Sequence, residues 1–190
     1  MGAMRSFFVG TNSAHFFVMM EKNMKKSRFL AYGALIAALY VALTYLQNAL
    51  LPGSATWAIQ FRASEALCVL ALFTPAAIPG LTIGCLLFNI SYAGALPLDF
   101  LVGSLATLLA TAGMYALRKV TVKDYPLPAM LLPAICNAFL VGWELSVYIG
   151  GAFWLNALYV AIGEAAVLLT LGTALYYSLR TRGLDSRLFG

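Results

Sequence analysis

Long apolar runs, separated by short stretches rich in polar residues, glycine or proline, dominate the chain after residue 28. A bilayer-spanning helix needs about 20 apolar residues, and four of the runs meet that length on their own: 29–47, 98–117, 127–149 and 152–179. A fifth run, 63–92, is too long for one span and contains Pro75, Pro79 and Gly80, which break a helix. It therefore predicts two further spans joined by a tight turn. The pattern as a whole predicts a compact bundle of six transmembrane helices.

The composition supports an all-α integral membrane protein. Of the 190 residues, 62% are hydrophobic and 10% are charged, and the mean hydropathy is +0.86. Soluble domains average about 25% charged residues. So short a chain with six spans has no room for a soluble catalytic domain. The net charge of +5 does not indicate a nucleic-acid partner, because the basic residues cluster at the ends of the predicted spans.

The basic residues also predict the orientation of the chain. They lie before the first span, between the fourth and fifth, and after the sixth: Lys25, Lys26, Arg28, Arg118, Lys119, Lys123, Arg180, Arg182 and Arg187. With six spans, all three clusters fall on one side of the membrane. Positively charged loops face the cytoplasm, so we expect both termini to be cytoplasmic.

Residues 1–23 precede a second start-like sequence, Met24 followed by Lys25 and Lys26. We expect these residues to be a leader, either added to the natural sequence or disordered. Residues 24–190 would then form a single six-helix membrane domain.

Ala34, Ala38 and Ala42 repeat at four-residue spacing on the first span. Such residues share one helix face and allow another helix to approach closely. The spacing alone leaves two interpretations open: a docking surface for a partner protein, or an internal packing face of the same bundle.

Four of the seven acidic residues lie within or at the edge of predicted spans: Glu65, Asp99, Glu144 and Glu164. An ionisable side chain at bilayer depth costs about 2.5 to 3.5 kcal/mol on insertion scales, so it usually faces a cavity, a partner or a substrate. Asp99 follows the loop containing Pro97, and we expect it to cap the start of the fourth span. The other three are candidates for a binding site.

An acidic, aromatic pocket is predicted between the fifth and sixth spans. Asn137 and Glu144 are seven residues apart, which places them on nearly the same face of one helix. Glu164 faces them from the sixth span, and Trp143 and Trp154 are expected to form an aromatic rim. Further polar or aromatic candidates come from the other spans and the outer loop: Trp57, Gln60, Arg62, Glu65 and Asn89.

Arg62 and Glu65 are three residues apart, a spacing that allows a salt bridge within one helix. Such a pair would lower the cost of burying both charges. It could equally brace the bundle without touching a ligand, and the sequence leaves both roles open.

The sequence contains no phosphate-binding loop, no HExxH motif and no Ser-His-Asp set in the span region. We therefore expect no enzymatic activity, no metal site, no cofactor and no ATP hydrolysis by this chain itself.

Several segments resemble the QueT family of queuosine-precursor transporters, in the same order along the chain: 59–67, 73–81, 103–110, 137–145 and Gly163-Glu164. The resemblance implies a substrate-binding S component of an energy-coupling factor (ECF) transporter in the cell membrane. Such a component works with a transmembrane T component and two cytosolic ATPases, which use the ATP. The small-residue stripe would dock it to the T component.

The resemblance also implies a 7-deazaguanine ligand such as preQ1, preQ0 or queuine. Glu144 and Glu164 are the residues we expect to read its guanine-like edge and its aminomethyl group, without a preference for which does which. Two alternatives remain open: an S component for another small vitamin, and an autonomous secondary transporter.

Overall fold

The computed structural model describes residues 2–52 and 61–183, with side chains described from residue 25 onward. The described elements are helical, and they are α1 (Gly2–Leu50), a 3₁₀ helix (Ala63–Leu72), α2 (Ala77–Ser91), α3 (Asp99–Leu117), α4 (Leu127–Met130), α5 (Leu132–Tyr148), α6 (Phe153–Val167), a π-helical turn (Leu168–Gly172) and α7 (Thr173–Thr181).

Four helical segments of the described chain have the length and composition to cross a membrane: Lys25–Leu50, Asp99–Leu117, Leu127–Tyr148 and Phe153–Thr181. They correspond to the first, fourth, fifth and sixth predicted spans. The other two predicted spans are the shorter apolar helices, the 3₁₀ helix and α2. The protein is thus an all-helical, multi-pass membrane protein, and six complete crossings stay a prediction.

The 3₁₀ helix lies at the centre of the bundle. It contacts α1, α2, α3, α6, the π-helical turn and α7, and eight of its ten residues are buried. A 3₁₀ helix rises about 2.0 Å per residue, so ten residues cover about 20 Å, whereas an α-helix of that length would cover about 15 Å. This short, apolar segment can therefore carry polar groups deep into the bundle.

Helices α1 and α2 pack through glycines. A Cβ atom on Gly80 would lie 2.7 Å from the carbonyl oxygen of Gly33, and one on Gly84 would lie 2.9 Å from Cβ of Tyr40. Glycine lets the two backbones approach each other this closely, as is common between membrane helices. The contact turns Tyr40 towards the bundle interior, where it is fully buried.

The described residues of the basic clusters lie at one end of the bundle. Arg118 at the end of α3 and Arg180 on α7 line the same pocket of about 260 Å³. Phe73, at the turn before α2, lines this pocket and stacks on Tyr176. Gly33 lies close to Ala76 in the same turn, which brings the start of the α1 span to this end as well. The predicted orientation requires these clusters to lie on the same side, and this arrangement is compatible with it. Which side is cytoplasmic stays a prediction.

Helix α1 begins at Gly2, so it includes residues that the sequence assigned to a leader, 1–23. The division into a leader and a membrane domain from residue 24 stays a prediction.

Candidate functional site

The interior of the bundle contains a group of buried polar side chains, each 6% exposed or less. We call this group the polar interior, and it consists of Arg62, Glu65, Asn89, Asp99, Asn137, Glu144 and Glu164. Its members come from the start of the 3₁₀ helix and from α2, α3, α5 and α6. Residues far apart in sequence thus lie together in the interior, because exposing such polar groups to lipid would be costly.

Glu65 is fixed by two neighbours. Its Oε1 accepts a 2.6 Å hydrogen bond from the hydroxyl of Tyr40, and its Oε2 accepts one of 3.1 Å from Sγ of Cys68. Residues three apart are eclipsed in a 3₁₀ helix, which explains why Glu65 and Cys68 share a face. Both oxygens of Glu65 are therefore engaged within the protein.

The start of the 3₁₀ helix is held to α1 by further polar contacts. Thr44 donates a 2.8 Å hydrogen bond from its hydroxyl to Oγ of Ser64. Gln47 accepts one of 2.6 Å from the backbone N–H of Ala63, and its amide nitrogen donates to the carbonyl of Phe61. Arg62 lies within this anchored segment, so its backbone position is fixed.

The sequence indicated neither Tyr40 nor Cys68 as site residues. The available signal was a stripe on α1, in which Tyr40, Thr44 and Gln47 follow one another at helical spacing. All three are buried. A tyrosine in a membrane span is common enough that this stripe did not stand out from the apolar background.

Asp99 has a different role from the expected helix cap. Its Oδ2 accepts a 2.7 Å hydrogen bond from the backbone N–H of Leu96, in the loop before α3. Its own carbonyl oxygen accepts one of 2.8 Å from the side-chain amide of Asn89. Asp99 therefore fastens the loop and α2 to the start of α3, and it also lies within electrostatic range of Arg62 and Glu144.

Glu144 and Glu164 carry buried oxygens with no hydrogen-bond partner within the described residues. These are both carboxylate oxygens of Glu144 and Oε2 of Glu164, together with Oδ1 of Asn89. Leaving a buried polar group unpaired costs about 1 to 3 kcal/mol, and more for a charged group. Because native proteins rarely leave such groups unpaired, these atoms are the ones suited to bind a polar guest.

The two carboxylates lie at different depths. The backbones of α5 and α6 touch where a Cβ on Gly142 would lie 2.8 Å from Cα of Ala157. Glu164, further along α6, comes within interaction range of the Asn137 side chain. Asn137 and Glu144 are seven residues apart on α5, or about 10 Å along the helix axis. Glu144 thus lies at the end of the bundle near Asp99, and Glu164 lies deeper.

A comparison with known protein families matches residues 30–181 to the QueT transporter family. The match covers most of the chain and includes every described member of the polar interior. The chain belongs to the QueT transporter family. This confirms the resemblance expected from the sequence motifs. No curated protein and no solved structure matches the chain.

Two tryptophans that the sequence placed in the pocket lie outside the polar interior of this QueT family member. Trp143 is 48% exposed and Trp154 is 71% exposed. Neighbouring positions of an α-helix are about 100° apart, so a fully buried Glu144 turns Trp143 towards another side. Trp154 packs edge-on against Phe153 and Phe139 at the surface. The described structure therefore does not bring these two residues to the polar interior.

The remaining predicted site residues divide into two groups. Arg62, Glu65 and Asn89 are buried in the polar interior, and their contact with a ligand stays a prediction. Arg62 lies within electrostatic range of Glu65 and of Asp99, so its charge acts on more than the single partner predicted. Trp57 and Gln60 lie outside the described residues.

Ala34, Ala38 and Ala42 are exposed on the surface of this QueT protein. They line a groove of about 700 Å³ between α1 and α2, together with Pro79, Gly80, Ile83 and Leu87. The internal contact between the two helices uses other residues, including Gly33 and Ala37. The alanine spacing left two interpretations open, a docking surface for a partner or an internal packing face. The described structure does not support the internal packing face.

Proposed function

We propose that this protein is the membrane-embedded binding subunit for uptake of a queuosine precursor, a 7-deazaguanine such as preQ1, preQ0 or queuine. The observation that carries the proposal is the set of buried carboxylate oxygens on Glu144 and Glu164 that have no hydrogen-bond partner within the described part of this member of the QueT transporter family. A transporter must bind its substrate away from bulk water, and these atoms supply the polar contacts for it.

The chemistry of the ligand class suits these groups. The guanine-like edge of a 7-deazaguanine presents a ring N–H and an exocyclic amine as two parallel donors, and one carboxylate can accept both. A second carboxylate can pair with the cationic amine on the arm of preQ1 or queuine. The amides of Asn137 and Asn89 offer a donor for the ring carbonyl.

We also propose that the protein is an ECF S component that works with a T component and two cytosolic ATPases in the cell membrane. The exposed groove at Ala34, Ala38 and Ala42 supports this part of the proposal, because small residues let a partner helix approach closely. The single basic end of the bundle would face the cytoplasm, where the ATPases reside.

Ligand-induced thermal stabilisation of the purified protein in detergent tests the binding function. We expect preQ1, preQ0 or queuine to raise the melting temperature, and guanine, which has no arm at this position, to raise it less. Glu144→Gln and Glu164→Gln should reduce the ligand-induced shift. Asp124→Asn is the matched control, since Asp124 is exposed and has a positive φ of 63°, which asparagine tolerates well. Equal shifts in all four proteins would remove these residues from the site.

Uptake into liposomes separates the proposal from its alternatives. Vesicles that contain this chain alone should show no uptake, and vesicles that also contain a T component and ATPases should accumulate the ligand when ATP is present. Uptake by this chain alone would identify an autonomous secondary transporter. An S component for another vitamin would be recognised by competition, because a compound without a guanine-like edge would displace the 7-deazaguanine.

A further inference from the structure

We infer that the bound ligand, the guest, takes one defined orientation in the polar interior. Its guanine-like edge, with two parallel donors, contacts Glu144 at the end near Asp99, and its cationic arm contacts Glu164, which lies deeper. This assignment rests on the proposed function and adds to it, because it gives the two glutamates different tasks. It concerns a bicyclic base that carries an amine arm.

The number of available oxygens distinguishes the glutamates. A bidentate contact needs two free oxygens on one carboxylate, and Glu144 is the glutamate of the polar interior for which both buried oxygens lack a partner within the described residues. Glu164 has one such oxygen, Oε2, and its carboxylate lies within range of the Asn137 amide, which can donate to it. Glu144 lies within similar range of Asp99, but an ionised carboxylate has no proton to donate, so Asp99 leaves the oxygens of Glu144 to a donor on the guest. Glu65 is less suited to read the edge, because each of its oxygens already accepts a hydrogen bond, from Tyr40 or from Cys68.

The depths of the two residues fit one guest. From the contact of Gly142 with Ala157, and from the interaction of Asn137 with Glu164, the backbone positions of Glu144 and Glu164 are about 10 to 13 Å apart along the helix axes. A fused bicyclic ring with a one-carbon amine arm spans about 8 Å by ordinary bond lengths. Two charge-assisted hydrogen bonds of about 2.8 Å, one at each end, extend this reach to about 13 Å.

The charge of the polar interior favours a cationic arm. Four carboxyl groups, those of Glu65, Asp99, Glu144 and Glu164, surround the single guanidinium of Arg62 in the described interior. Arg62 acts electrostatically on Glu144 and Glu164 and lies within range of Asp99. An ammonium group on the guest would add a second positive charge to this region, where opposite charges attract strongly.

Changing the ligand tests the orientation without any risk to folding. The probes are preQ1, whose arm ends in an amine, preQ0, whose arm is an uncharged nitrile, and a preQ1 analogue that lacks the exocyclic ring amine. We expect the wild-type protein to bind preQ1 at least about tenfold more tightly than either of the other two, since each loses a hydrogen bond to a charged group. Equal affinities for preQ1 and preQ0 would overturn the role of Glu164.

Crossing these ligands with two variants assigns each end. Glu164→Gln should weaken preQ1 binding by about tenfold and change preQ0 binding by less than about twofold. Glu144→Gln should weaken both by about tenfold, and the analogue that lacks the ring amine should be the least affected. Asp124→Asn should change none of these affinities.

The opposite pattern, in which Glu144→Gln affects preQ1 alone and Glu164→Gln affects both ligands, would reverse the orientation and overturn this inference while the proposed function stands. Failure of every 7-deazaguanine to bind the folded wild-type protein would instead overturn the proposed function. A symmetric size-exclusion profile and an unchanged ligand-free melting temperature show that each variant is folded.

Discussion

The phenol of Tyr40 on α1 donates a 2.6 Å hydrogen bond to Oε1 of Glu65 on the 3₁₀ helix. Both residues are fully buried, and Tyr40 stands on the same helix whose other face carries Ala38 and Ala42 on the exposed groove. Helix α1 therefore lines the exposed groove with one face and contacts Glu65 in the polar interior with the other.

The Tyr40→Phe variant should destabilise the protein, because it leaves the buried Oε1 of Glu65 without its donor. We expect a loss of about 1 to 3 kcal/mol, measured as a lower melting temperature in detergent. Tyr45→Phe is the matched control on the same helix: its hydroxyl donates to the exposed Ser91, so its loss leaves no buried acceptor unpaired. Similar losses of melting temperature in the two variants would show that the buried hydrogen bond stabilises the protein no more than the exposed one.

The Gly142→Ala variant should push α5 and α6 apart. The new Cβ would lie 2.8 Å from Cα of Ala157, and backbone atoms there cannot yield as a side chain can. We expect destabilisation of about 1 to 3 kcal/mol and weaker ligand binding, because Glu144 and Glu164 stand on the separated helices.

The Gly113→Ala variant is the control for this contact. Its Cβ would meet the terminal Cδ1 of Leu132 at 2.9 Å, and this flexible group can move away. Alanine also favours a helix over glycine by about 0.5 to 1 kcal/mol, so the melting temperature should stay the same or rise. Equal losses in both alanine variants would contradict the close packing of α5 on α6.

Replacing the exposed tryptophans should leave ligand binding intact. Trp154→Leu and Trp143→Leu change side chains that are 71% and 48% exposed and lie outside the polar interior. We expect dissociation constants within about twofold of the wild-type value, in keeping with the small effects of surface substitutions. A tenfold loss of affinity in either variant would indicate that the replaced tryptophan does contribute to the binding site.

The exposed groove should serve partner docking and not ligand binding. Ala38→Leu places a bulky side chain in the groove, so it should reduce association with the T component and ATP-driven uptake while ligand affinity is unchanged. Ala31→Leu makes the same change on the same helix at an exposed position outside the groove. Loss of uptake in both variants, or in neither, would argue against docking through this groove.

The polar groups of the site could be predicted because lipid makes them costly. Glu144, Glu164 and Asn137 were identified from their position inside apolar runs, and all three are buried. Asp99 was identified but given a capping role, since hydrogen bonding to the loop before α3 depends on how the chain turns there. The lesson from Trp143 is that a residue adjacent to a buried helical position usually faces elsewhere.

The 3₁₀ helix was beyond sequence-based prediction. Residues 63–72 are apolar at almost every position, so their pattern has no period that would distinguish a 3₁₀ helix from an α-helix. The pairing of Glu65 with Cys68 and Tyr40 depends on that geometry and on the packing of α1. Neither could be derived from residue spacing alone.

A structure of the protein with bound preQ1 tests the central claim most directly, because it measures the distances from the guest to Glu144 and Glu164. We predict that two nitrogens of the guanine-like edge lie about 2.8 Å from the two carboxylate oxygens of Glu144, and that the amine of the arm lies at a similar distance from Glu164. A guest bound on the outer surface, or in the interior but out of hydrogen-bonding range of both glutamates, would contradict the account.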